Sequence, residues 1–340
     1  MKKVTAIVLL CFFAGASILQ ADINSGKTVV DYKFKKLVKN LYDKTTILET
    51  QRQLATYGKS ALPFVAPLLA DQNNEDVRVA ALWLIGNAGD ASYEDNVIPM
   101  LTDRENRVRR EAGHALSKIG TQKSIAALKN AINDNDAEVR FYAMKAFSRV
   151  ATQEEIPILI NAISDFDARV RKFAVIALGR LKSKEGLSQI AALKQDSDSG
   201  VRFEAVRALG EIGGIDTLMA ITPFAGDPEI DVKVMAVNSI AKIDNTAADT
   251  ILEDLSGATD PRVASTAIRF LGERKSSNAL LVARKYIGDE HMEVRLASIE
   301  VFKSLGTKEE RKYLEPLLTS ESSEVRKYAQ VAIETLDARI

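Results

Sequence analysis

The chain has 340 residues, and its 46 basic and 46 acidic side chains give a formal net charge of zero. That balance argues against nucleic acid as the main partner, because such proteins usually carry a basic surplus or stripe. With two histidines and one cysteine in the whole chain, there is little material for a zinc, iron or thiol centre, so no cofactor or metal is expected.

In chain order, residues 1–21 come first. Lys2 and Lys3 precede an apolar run from Val4 to Ala16, followed by Ser17 to Ala21. A short basic head and an apolar core too short to span a bilayer describe a secretory signal peptide. Cleavage is expected after Ala21, with Ala16 as second choice, which places the mature protein in the periplasm or cell envelope. Loss of Lys2 and Lys3 leaves 44 basic and 46 acidic residues, a net charge of −2. The single cysteine, Cys11, lies inside the apolar core. A lipoprotein acylated there is disfavoured, since bulky Leu10 stands where a small residue is expected. The mature chain is therefore expected to lack thiol chemistry, and no later segment has the roughly 18 apolar residues needed to cross a membrane.

Residues 22–59 read as an N-terminal cap. Val29, Phe34, Leu37, Val38 and Leu41 give Val29 to Tyr42 a helical pattern. Thr45 to Gly58 reads as a degenerate second helix. Its Leu54 and Gly58 stay in phase with Ile85 and Gly89 downstream, but Thr46 stands where a repeat valine belongs.

From residue 60 to 340 the chain repeats. Val77, Val108, Val139, Val170, Val201, Val232, Val263, Val294 and Val325 follow one another at steps of 31 residues. A period of this size marks a solenoid. Counted from the valine, apolar residues recur at offsets 0, 4, 7, 8 and 11, one face of a helix. Three residues before the valine stand Asn74, Asp136, Asp167, Asp198, Asp260 and Ser322, good N-caps, with Glu105, Glu229 and His291 in the same place. Gly89, Gly120, Gly213 and Gly306 lie twelve residues after it, where left-handed C-caps are expected. A second apolar segment upstream of each cap, such as Ser124 to Ile132, makes each repeat two antiparallel helices. Pro99, Pro223 and Pro316 share one register in that first helix and predict a kink. Asp103, Asp134, Asp165, Asp196, Asp227 and Asp289 close it.

The residue after the valine is Arg78, Arg109, Arg140, Arg171, Arg202, Arg295 or Arg326, with Lys233 and Ala264 as exceptions. One Arg per repeat beside turn carboxylates predicts a structural ladder of ion pairs between neighbouring turns, weakened or broken at the two exceptions. Five residues after the valine, Val175, Val206, Val237, Ile268 and Ile299 give way to Gln330. With Glu334, Asp337 and Arg339, this is how a solenoid stops.

The Asp–x–x–Val-Arg–x–x–Ala–x–x–Ala-Leu-Gly elements over residues 60–338 resemble the HEAT-repeat family, and more closely its short 31-residue subclass, the phycobilisome-lyase-like HEAT repeats. The resemblance implies an all-α, right-handed α-α superhelix (a HEAT-type solenoid) of about nine to ten two-helix repeats, with the second helices on the concave side. HEAT-like deoxyhypusine hydroxylases bind iron through His-Glu pairs. Here His114 precedes Ala115 and His291 precedes Met292, so that activity is excluded. A bland reading suffices for both: an exposed helix residue and an N-cap. Gly86, Gly179, Gly210 and Gly272, nine after the valine, mark helix crowding and not a phosphate loop.

Positions two, three and six after the valine should face away from the core, yet they mix apolar and cationic residues. Trp83, Arg110, Phe141, Tyr142, Lys145, Lys172, Phe173, Ile176, Phe203, Arg207, Val234 and Met235 form the candidate partner-binding stripe. Packing of position three against the next helix is the competing explanation for Tyr142 and Phe173. The expected function is a non-enzymatic, monomeric scaffold binding a protein or peptide along its concave face, with no nucleic acid and no membrane span in the mature chain. Alternatives are an enzyme subunit of the bilin-lyase type, against which the leader counts, and a structural part of an envelope assembly.

Overall fold

The computed structural model describes residues 29–339. The expected leader, Cys11, the cleavage positions and Ile340 lie outside the described residues. The described residues are helical throughout and divide into two compact units with the boundary between Ala151 and Thr152.

The first unit holds α1 (Val29–Asn40), α2 (Ile47–Ala55), α3 (Leu62–Val65), α4 (Glu75–Ala88), α5 (Glu94–Val97), α6 (Asn106–Ile119), α7 (Ile125–Ala131) and α8 (Ala137–Val150). The second holds α9 (Ile156–Ala162), α10 (Ala168–Arg180), α11 (Leu187–Ala192), α12 (Ser199–Ile212), α13 (Leu218–Ile221), α14 (Ile230–Ala241), α15 (Thr246–Leu255), α16 (Pro261–Glu273), α17 (Ala279–Tyr286), α18 (Met292–Leu305), α19 (Arg311–Leu314) and α20 (Ser323–Asp337). Second helices of successive repeats pack on one another: α4, α6 and α8 in the first unit, and α10 through α20 by even numbers in the second.

The repeat valines are all buried, as are the alanines and larger apolar residues four and eight positions on. Val175, Val206, Val237, Ile268 and Ile299 are buried against the following repeat, whereas Gln330 is exposed. The polar end of the array is as the pattern predicts. Arg339 has a further task there, donating to the carbonyls of Lys303 at 2.6 Å and Ser304 at 2.9 Å and so closing the end of α18.

The N-caps form where the side chain suits. Asn74, Asp136, Asp198 and Ser322 accept from the valine N–H, while Asp167 and Asp260 accept from Arg169 and Arg262. Glu105, Glu229 and His291 occupy the same place without capping, so the N-cap role expected of His291 is not made by its side chain. Its ring Nδ1 lies 3.0 Å from Asp289 Oδ1 instead.

The prolines change helix type. Pro99, Pro223 and Pro316 each open a 3₁₀ segment (Ile98–Thr102, Thr222–Gly226, Glu315–Thr319) after only one α-helical turn. Of the first helices without an interior proline, α7, α15 and α17 run unbroken, while α11 also passes into a short 3₁₀ segment, Leu193–Gln195. The proline lacks the N–H that would continue the α ladder, so the chain tightens.

The C-cap glycines depart in part from the expected left-handed form. Gly89 is left-handed at φ 67°, and Gly213 has φ 66° with extended ψ, but Gly120 and Gly306 keep negative φ. In two other repeats the same register is left-handed with a lysine: Lys182 at φ 50° and Lys275 at φ 54°. Ser183 N–H bonds to Leu178 O and Ser276 N–H to Leu271 O, both at 3.0 Å. These six-to-one bonds are Schellman closures, and they hold each lysine in a conformation that glycine adopts more readily.

The ladder exists. Arg109 reaches Asp134, Arg171 reaches Asp196 and Arg202 reaches Asp227, each by a forked pair of bonds between 2.7 and 3.1 Å. Arg78 donates from Nη2 to Asp103 at 2.9 Å, with Nε also 2.9 Å from the other carboxylate oxygen but out of hydrogen-bond alignment. Each Arg also donates Nη1 to a carbonyl of its own turn, and each Asp accepts an N–H two residues on. Burial raises the pKa of Asp134, Asp196 and Asp227, but the guanidinium and the backbone N–H outweigh it and hold each carboxyl below its ordinary range. The weakening also appears where the sequence departs. Lys233 finds only Asp260, at 3.8 Å, because Ala258 stands where the rung's Asp belongs. Ala264 leaves Asp289 to His291.

Candidate interaction face

Small residues bring the second helices close. A Cβ on Gly86 would lie 2.8 Å from Ala115 Cα, one on Gly179 would lie 2.8 Å from Ala208 Cα, and one on Gly210 would lie 2.7 Å from Ser239 Oγ. The glycines nine after the valine thus serve helix crowding, as their register predicts. Close backbones leave the outward side chains of neighbouring helices only partly open to solvent. All twelve stripe residues are half-buried, neither core nor freely exposed.

In the first unit, α4 carries Trp83, α6 carries Arg110 and His114, and α8 carries Phe141, Tyr142 and Lys145. Tyr142 packs toward α6. Its ring centroid is 5.0 Å from that of His114, and its Cβ approaches Gly113, where an added Cβ would meet it at 3.0 Å. Gly113 replaces the apolar residue of other repeats and makes room for this tyrosine. Phe141 lies 4.7 Å from Tyr142, so the three rings form one patch. Arg110 is not a free cation: it grips Asp136 through two guanidinium nitrogens, Nε at 2.9 Å. That hydrogen bond, against the opposing effect of burial, holds the Asp136 carboxyl down at about 2.

In the second unit, Lys172, Phe173 and Ile176 project from α10, Phe203 and Arg207 from α12, and Val234 and Met235 from α14. Arg207 is bound to Glu204 at 2.6 Å and to Glu211 at 2.5 Å on its own helix. Its charge is spent within the protein. Phe203 walls an open cavity of about 280 Å³ with Ser199, Gly200, Glu229, Asp231 and Val232. A larger one of about 520 Å³ lies between α16 and α18, crossed by the Arg269–Glu300 pair at 3.3 Å. Two of the four stripe cations, Arg110 and Arg207, are therefore spent within the protein, which leaves the stripe less cationic than the bare sequence suggests.

The most exposed apolar side chains lie elsewhere. Phe166 is 99 % exposed and Met219 81 % exposed, and neither belongs to the stripe. A signal existed for Phe166. Four residues before the repeat valine, the other turns carry Asn73, Arg104, Asn135, Ser197, Pro228, Thr259, Glu290 and Glu321, and only this one an aromatic. Among the described residues, no cluster of three His, Cys, Asp or Glu is arranged to hold a metal ion, and no helix is long and apolar enough to cross a membrane.

Comparison with known proteins supplies the context. A family model described as HEAT repeats matches residues 62–148, 125–193, 156–223, 190–262 and 248–334. Among solved structures, the crystal structure of an engineered protein is similar at 22 % identity and TM-score 0.51, covering 90 % of this chain and 99 % of that one. At that identity the likeness concerns the fold alone. No curated protein matches the sequence at a significant level.

Proposed function

The chain belongs to the HEAT-repeat family, and from that premise we propose that it is an exported, non-enzymatic scaffold binding a protein or peptide along its second helices. HEAT repeats build helical scaffolds for protein interaction, so the family sets the class of task and the surface must set the rest. The observation that carries this reading is the set of half-open aromatic side chains on the second helices of each unit, Trp83, Phe141 and Tyr142 in the first, and Phe173 and Phe203 in the second. Aromatic side chains already ordered by packing lose little further freedom on binding, and they dominate interface energetics. Because Arg110 and Arg207 are committed to internal carboxylates, the partner is expected to present apolar residues more than negative charge.

The leader at residues 1–21 supports export to the periplasm or envelope, and mass spectrometry of the envelope fraction would show a mature N-terminus at Asp22. The face is tested by pull-down of envelope proteins with Trp83→Ala, Phe141→Ala and Phe203→Ala combined. Loss of a partner captured by the parent supports the reading, and unchanged recovery removes the face from it. The bilin-lyase alternative predicts red absorbance when the protein meets bilin and apo-phycobiliprotein, whereas the scaffold reading predicts none.

A further inference from the structure

Charge is unevenly distributed along a chain that is neutral as a whole. Residues 29–59 carry seven basic and three acidic side chains, whereas residues 60–340 carry 36 and 42. The excess is concentrated on α1. Phe34, Leu37 and Leu41 form its buried face. At 100° per residue, Tyr32, Lys35, Lys36 and Lys39 centre on the opposite side, and all four are exposed. The three lysines have no carboxylate within ion-pair distance among the described residues. Lys33, off this face, is turned over the Tyr57 ring at 4.9 Å. Tyr32 is 72 % exposed, and on the next helix Leu48 is 69 % exposed.

We infer that this face of α1 docks on a bilayer surface rich in anionic phospholipid. Three observations favour a bilayer over an acidic protein or a nucleic acid. The cations are all lysine, a point charge that protein interfaces tend to exclude and that lacks the fork arginine offers to carboxylates. They surround an exposed tyrosine, whose amphipathic ring suits the headgroup level. And they sit along one side of a single helix whose opposite side is buried, with an exposed leucine on the next helix, so that several headgroups meet several lysines without a shaped pocket. The face shares no residue with the aromatic stripe, so either can fail without the other.

The test is flotation of the full-length chain with vesicles of phosphatidylcholine alone and of phosphatidylcholine with about 30 % phosphatidylglycerol, a surface that attracts basic residues. The readout is the gain in binding due to the anionic lipid; the leader, Lys2 and Lys3 included, is the same in parent and variants, so a difference between them does not come from residues 1–21. The gain is expected to fall at least about tenfold in Lys35→Glu/Lys36→Glu/Lys39→Glu, and to disappear in about 0.5 M salt. Tyr32→Ser should reduce it with the charges intact. Lys118→Glu/Lys194→Glu/Lys242→Glu, exposed lysines elsewhere, should preserve it, and circular dichroism of each variant controls for folding. Equal binding to both vesicles overturns the inference, as does equal loss in the control triple variant. So does a patch that ignores vesicles but binds polyglutamate or RNA.

Discussion

Replacing Arg202 by methionine keeps the bulk of the side chain and removes its charge from a closed setting. The Asp227 side chain is 3 % exposed and accepts three hydrogen bonds, two from Arg202 at 2.7 and 2.9 Å and one from Glu229 N–H at 2.9 Å. Methionine leaves a buried carboxylate with the last of these alone. Breaking a buried pair by deleting one partner costs about 3–5 kcal/mol, most of it the stranded charge. For a unit of this size that lowers Tm by on the order of 10 °C. Lys233→Met is the internal comparison. Its pair with Asp260 is 3.8 Å long and about a quarter exposed on both sides, and such pairs are worth about 0–1 kcal/mol.

Melts of the two variants followed by circular dichroism, with Arg202→Met/Asp227→Asn beside them, test this. The double variant neutralises the stranded charge and should recover at least about 1 kcal/mol. The pH dependence has a definite sign. The folded pKa of Asp227 is depressed, so its stabilising contribution is present above the unfolded value and lost as pH falls through the folded value. Without Arg202 the carboxyl instead protonates readily in acid. The gap between parent and Arg202→Met should therefore close as pH drops below about 4. If the methionine variant costs no more than Lys233→Met, or if the gap widens in acid, the ladder does not stabilise the stack in the way argued.

Gly179→Ala should destabilise by about 1–2 kcal/mol, since overpacking against Ala208 outweighs the gain in helix propensity. Gly226→Ala, with nothing within 4 Å, should be near neutral in the same urea titration. Lys182→Gly and Lys275→Gly should each stabilise by about 0.5–1 kcal/mol, because relief of the left-handed strain exceeds the added freedom of the unfolded chain. A lower urea midpoint for both would contradict the Schellman geometry. Asp136 titrates at about 2, below its unfolded value, so it stabilises above about pH 4 and ceases to as pH falls toward 2. Arg110→Gln should move that carboxyl titration upward by NMR, and an unmoved titration would mean that the pair is absent in solution.

The period of 31 residues, the valine, alanine and leucine registers and the crowding glycines are all legible in the sequence. Repetition made this possible, because nine copies of one local environment average away the ambiguity of any single helix pattern. The ladder was legible as Arg and Asp at constant offsets, with its weak points at Lys233 and Ala264, but not its loss at Arg295, which bonds to the carbonyls of Asp289 and Glu290 because Ser320 stands where the rung's Asp belongs. What depended on contacts between repeats was not. The stripe residues are half-buried because neighbouring backbones approach through Gly86, Gly113 and Gly179, a distance no single repeat encodes. Arg110 looks like a free cation in the sequence, and only packing brings Asp136 to it, whereas Arg207 meets Glu204 and Glu211 one helical turn away on its own helix, a pairing the sequence already carries. Left-handed Lys182 and Lys275 are decided by the Schellman bonds of the closing turn, against local residue preference. Side-chain periodicity follows from the helix itself and can be read one residue at a time, whereas exposure and charge pairing follow from how two helices meet.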